Sequence, residues 1–122
     1  GSSWLDPSDC QATHAVSVLQ VHGDLDDIMP FEGDSEAPGA LEVLDRWAMR
    51  GGCDLTSWVT EDDGRDYILS DGVPDETLVS RFGGCDPGTD VELWLMQGSD
   101  HYPDVGSAFT TDAVDWLLAH PR

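Results

Sequence analysis

Three carboxylates, Asp24, Asp26 and Asp27, stand within four residues directly after Gly23, and one histidine, His101, stands in the loop-like string Gln97–Pro103. A carboxylate and an imidazole are the parts of a general-base pair. The ring takes a proton from a nucleophile and returns it to a leaving group, and the carboxylate fixes the tautomer and stabilises the imidazolium. The plain alternative is a solvated acidic turn and a surface-loop histidine. Residue types alone leave all three acids open.

The elements that would position the pair are strands. Val16, Val18, Leu19 and Val21 form an apolar, β-preferring run over residues 16–22. It breaks at Gly23, where a sharp turn is permitted. Residues 91–96, VELWLM, read as a second strand leading into the His101 loop. Open α/β sheets present catalytic groups at the carboxyl ends of their strands. Between them, Ala40–Met49 is expected to be a helix, with Leu41, Leu44, Ala48 and Val43, Trp47 as its apolar stripe and Gly51-Gly52 as its stop. Residues 54–90 predict a hairpin-like excursion at the edge of the sheet. Its strands are expected around Leu55, Trp58 and Val59, at Tyr67–Ser70 and at Leu78–Phe82. A closing helix is expected to begin at Thr110 or Thr111, with Asp112 in its first turn and Val114, Trp116, Leu117 and Leu118 as its buried face.

His22-Gly23-Asp24-Leu25-Asp26-Asp27-Ile28-Met29-Pro30-Phe31 resembles the HG-x-x-D-x-x-VP-Y segment of secreted α/β-hydrolase esterases of the polyhydroxybutyrate depolymerase and feruloyl esterase type. Gln97–Pro103 looks like that family's G-H-x-x-P loop. Leu44–Ala48 with Gly51-Gly52-Cys53 resembles its W-A-x-x-N-G-C helix end, and Ala113–Leu118 its closing helix. The resemblance implies Asp26 as the triad acid and His101 as the triad histidine, in the family's chain order of acid before histidine. It makes His22 structural, holding the turn beneath the acid. Phe31 and Tyr102, beside the acid and the base, are candidates to line an acyl or aryl pocket, or are packing residues. The implied fold is α/β: the carboxyl-terminal portion of an α/β-hydrolase, with parallel strands and flanking helices, residues 1–122 forming one unit.

This sequence departs from the family in one respect that decides its expected chemistry. No G-x-S-x-G string occurs in it, and Gly33-Asp34-Ser35-Glu36-Ala37, the nearest, follows the acid instead of preceding it. Ser35 therefore reads as a loop serine. The expected function is a serine carboxylic-ester hydrolase component that supplies the aspartate and histidine. Its partner would be an amino-terminal half carrying the serine and the oxyanion hole, and its substrate an ester. The alternative is a non-catalytic acidic binding or structural module.

The chain has 122 residues, with 25 acids against five basic residues, all arginine, for a net charge of −20. Such a field excludes nucleic-acid phosphate and anionic membranes as partners. It fits a solvated surface in a salt-rich setting, or calcium loading through the acid clusters. The clusters lack EF-hand spacing, and no C-x-x-C pair is present, so no metal or cofactor is expected. Cys53 follows a helix and Cys85 precedes a strand, each beside glycines, and a Cys53–Cys85 disulfide is predicted; the alternative is two buried thiols. The disulfide implies an oxidising compartment and a secreted protein. Cys10 is left to be free or to join the missing portion.

Overall fold

The computed structural model describes residues 14–70 and 72–121; Cys10 lies outside them. The elements run β1 (Val18–Gly23), α1 (Ala40–Arg50), β2 (Asp54–Thr60), β3 (Thr77–Gly83), β4 (Val91–Met96) and α2 (Ser107–Ala119). The four strands form one sheet in the order β1-β4-β3-β2. β1 pairs parallel with β4, Val18 opposite Val91 through Gly23 opposite Met96. The β3–β4 and β2–β3 pairs are antiparallel.

This corrects the expected fold. The sheet is mixed, with a single parallel pair, and is not the parallel sheet of an α/β-hydrolase. The reason lies in the connections. β3 and β4 are joined only by residues 84–90, and parallel neighbours need a crossover of a dozen or more residues. The segment expected to be an excursion at the margin thus supplies an interior strand.

β4 is the spine. Its side chains alternate between two apolar clusters, as period-2 geometry requires. Val91 and Leu93 join Leu44 and Ala48 of α1 and Phe82 of β3, with Trp47 and Leu95 packed against them. Trp94 and Met96 join Tyr67, Ile68 and Val79, against which Phe109, Ala113 and Trp116 of α2 pack. α1 ends at Gly51-Gly52, Gly52 taking φ +64°, and Cys53 immediately bonds Cys85 after β3. The disulfide closes a separation of 32 residues, which the loop-entropy account values at about 3–4 kcal/mol.

Two further expectations change. Tyr67–Ser70 is not a strand. The Tyr67 and Ile68 N–H groups donate to the buried Glu76 carboxylate at 3.0 and 3.3 Å, and Thr77 Oγ1 donates to the same oxygen at 2.6 Å. A side chain takes the place of a neighbouring strand, leaving only an Ile68–Val105 bridge. α2 begins at Ser107, after Gly106, so Thr110, Thr111 and Asp112 lie inside it. Asp112 accepts the Tyr67 hydroxyl at 2.8 Å. Of the four residues expected to form its buried face, Trp116 packs on the core, whereas Val114, Leu117 and Leu118 are 47, 63 and 72 % exposed.

Candidate active site

The parallel β1–β4 pair brings two loops to the same end of the sheet. Backbone and side-chain bonds lace them together. Asp24 N–H donates to Met96 O at 3.2 Å, Leu25 N–H to Ser99 O at 2.9 Å, and Gly98 N–H to Asp24 Oδ1 at 2.6 Å. Gly23 permits the approach, since a Cβ there would stand 2.3 Å from Ser99 O. The three acids then separate by role. Asp24 is a clamp between loops, Asp27 is exposed, and Asp26 is turned inward.

Asp26 sits in a tight turn of its own making. Its Oδ1 accepts the Ile28 and Met29 N–H groups at 3.0 and 2.8 Å. Its Oδ2 accepts His101 Nδ1 at 2.7 Å. The Asp26 side chain is 6 % exposed and that of His101 is 33 % exposed. Burial pushes the Asp26 carboxyl up. The Met29 N–H, the His101 ring, the Ile28 N–H and the imidazolium charge outweigh it and hold the group below the usual carboxylate range. A nitrogen facing a carboxylate carries the proton, so the neutral His101 ring bears its lone pair on Nε2. Nε2 makes no hydrogen bond among the described residues.

His22 supports the turn. Its Nε2 donates to Met29 O at 2.8 Å and stands 3.6 Å from Asp26 Oδ2. Its ring meets Phe31 edge-on at 5.5 Å. Residues 100–102 shape the opposite loop, with Tyr102 N–H donating to Asp100 Oδ1 at 2.8 Å.

A cavity of about 350 Å³ opens beside the pair. Its lining includes the apolar residues Met29, Pro30, Pro38, Ala40 and Val43 and the polar residues Asp26, Asp100 and His101. No serine, threonine or cysteine is among its lining residues. Neither Phe31 nor Tyr102 lines it. Phe31 packs against the α1 cluster, and Tyr102 is 77 % exposed, touching His101 edge-on at 4.8 Å. Ser35 is exposed in the loop after the Gly33–Pro38 bridge begins, and is not at the cavity.

The structure therefore joins two residues singled out from sequence, Asp26 and His101, and the two cysteines, Cys53 and Cys85. The loop clamp through Asp24 was missed. Its signal would have been Gly98, whose φ of +74° turns its N–H toward β1's loop. Comparison of the chain with protein-family models, curated protein sequences and solved structures gave no significant match.

Proposed function

We propose that this chain supplies the acid–base half of a serine-type carboxylic-ester hydrolase, Asp26 orienting His101 and His101 acting as the general base. The observation that carries the reading is the 2.7 Å contact from His101 Nδ1 to a buried, doubly hydrogen-bonded carboxylate, with Nε2 left free beside a cavity. In acyl transfer, Nε2 takes the proton of an attacking hydroxyl. The imidazolium so formed is stabilised by Asp26 and then protonates the departing alcohol. Among the described residues the cavity walls offer no hydroxyl or thiol, and we assign the nucleophile, with the donors that hold the oxyanion, to a partner polypeptide. The ester's apolar portion would rest against Met29, Pro30 and Val43. The disulfide is compatible with an oxidising compartment, and a secreted location belongs to the same proposal.

The test is native, non-reducing purification followed by labelling with a fluorophosphonate serine probe and intact mass. A second polypeptide that takes the probe, and loses labelling when this chain carries His101→Ala, is the expected result. A single unlabelled species overturns the reading and leaves a non-catalytic acidic module.

A further inference from the structure

The cavity beside His101 is lined by four consecutive residues of one strand, Gln20, Val21, His22 and Gly23. Successive side chains of a strand point to opposite faces. A cavity that touches all four reaches the strand's backbone as well as one of its faces, and Met96 of β4 lines it too. Among the described residues β1 is an edge strand, paired only with β4. Native sheets blunt such edges with charges, prolines or bulges. The opposite edge follows that rule, since β2 slips register between Asp54 and Trp58. β1 does not. Its pairing with β4 is regular from Val18 to Gly23, and the strand itself, VLQVHG, has no proline, lysine or carboxylate.

Charge decides between the possible occupants. Asp24, Asp27 and Asp100 are exposed at one end of β1, Asp24 also accepting the Gly98 N–H, and at the other stands Asp90, whose carbonyl accepts the Val18 N–H at 2.8 Å and whose carboxylate pairs with His120 Nε2 at 2.9 Å. A second copy would bring the same carboxylates, and a further −20, against them. A neutral centre with basic ends complements an edge of uncharged backbone groups with acidic ends.

We propose that the free edge of β1 is a docking edge, which adds one extended segment of a partner polypeptide, neutral in its middle and basic at its ends. Main-chain hydrogen bonds to β1 give the affinity, and the apolar lining residues Met29, Pro30, Pro38, Ala40 and Val43 receive the inserted side chains. One end of the segment lies against His101. This rests on the reading that the nucleophile comes from a partner, and it names where that partner sits.

The test uses the ¹⁵N-labelled chain and a capped heptapeptide of alternating threonine and valine with a lysine at each end. Amide exchange across Val18–Gly23 is expected to slow by about tenfold or more, and less as salt rises. The same peptide with glutamate ends, or with backbone N-methyl groups along its pairing side, is expected to leave exchange unchanged. Protection of β2 instead, equal protection by the glutamate peptide, or no protection at millimolar lysine peptide overturns the proposal. Self-association through β1 without peptide overturns it too, because the occupant is then a second copy. The two readings fail separately. If β1 is protected but fluorophosphonate labelling never depends on His101, only the catalytic reading falls. If labelling depends on His101 while β1 stays unprotected, only the docking edge falls.

Discussion

Asp26→Asn separates the two jobs of the buried carboxylate. Asparagine is isosteric, and its Oδ1 can keep both turn bonds, to the Ile28 and Met29 N–H groups at 3.0 and 2.8 Å. Its Nδ2 then replaces the oxygen that accepts His101 Nδ1 at 2.7 Å. Two donors would face each other, so the neutral ring must move its proton to Nε2 and accept at Nδ1. The stability loss is bounded by one charge-assisted hydrogen bond, about 1.5–3 kcal/mol, and the new neutral bond returns about 1 kcal/mol of it. The net cost is thus about 0.5–2 kcal/mol. The chemical cost is larger, since Nε2 is no longer a base. In a complex with the nucleophile-bearing partner, turnover should fall on the order of 10⁴-fold, the size seen when a triad aspartate is so replaced elsewhere. The assay needs no substrate. Long-range ¹H–¹⁵N spectra of the ring nitrogens report the tautomer, and chemical denaturation reports stability. Asp27→Asn, on an exposed acid, should move neither. If His101 kept its Nδ1 proton in Asp26→Asn, the contact would not be what sets the ring, and the assignment of Asp26 as the orienting acid would be refuted.

Three other outcomes follow from the same contacts. Because the folded Asp26 carboxyl is held below its unfolded value of about 3.9, its contribution is present above that pH and is lost as pH falls through the folded value. Acid unfolding of the native chain should therefore be steeper than that of Asp26→Asn, measured as denaturation midpoint against pH. Reduction of Cys53–Cys85 should lower stability by about 3–4 kcal/mol, read by denaturation with and without reductant, with a Cys53→Ser, Cys85→Ser double variant matching the reduced form. Gly23→Ala would place a Cβ 2.3 Å from Ser99 O. It should cost at least about 2 kcal/mol and loosen the His101–Asp26 contact, seen as faster exchange of the His101 ring proton, because backbone cannot yield as a side chain does.

The strands were legible where burial writes itself into residue type. VELWLM carries apolar residues on both of its faces because both are covered, and the structure buries all of it but Leu95, Glu92 included, whose carboxylate accepts the Trp94 and Trp116 indole N–H groups. Direction was not written there. The expectation of parallel strands came from the family resemblance, yet β4 is parallel to one neighbour and antiparallel to the other. Burial records how many layers surround a strand, not which way its neighbours run. The length of the link from β3 recorded that, and residues 84–90 carried the information. α2 failed for a related reason. Its residues are apolar on more than one side, so apolar type could not say which side meets the sheet. Trp116 does, while Leu117 and Leu118 stand in solvent.

At the site, spacing found the acid and the histidine but could not rank three carboxylates by use. Their ranking comes from hydrogen-bond demand. Asp24 is occupied by Gly98 N–H, so its charge serves the joining of two loops. Asp27 meets solvent. Asp26 is left with one oxygen committed to its own turn and the other to an imidazole. That division has a mechanical consequence. The turn bonds fix Oδ1 whatever His101 does, so Oδ2 stays aimed as the ring gains and loses its proton. A carboxylate held only by the histidine would swing with it. Preorganisation at this site therefore resides in the Ile28–Met29 backbone, and behind it in His22, which donates to Met29 O at 2.8 Å. Removing that donor should loosen Oδ2 without touching the contact itself, so His22→Leu is expected to broaden the His101 ring signals while leaving its tautomer unchanged. A tautomer shift in His22→Leu would instead make His22, 3.6 Å from Oδ2, a competing partner of the carboxylate and no mere support.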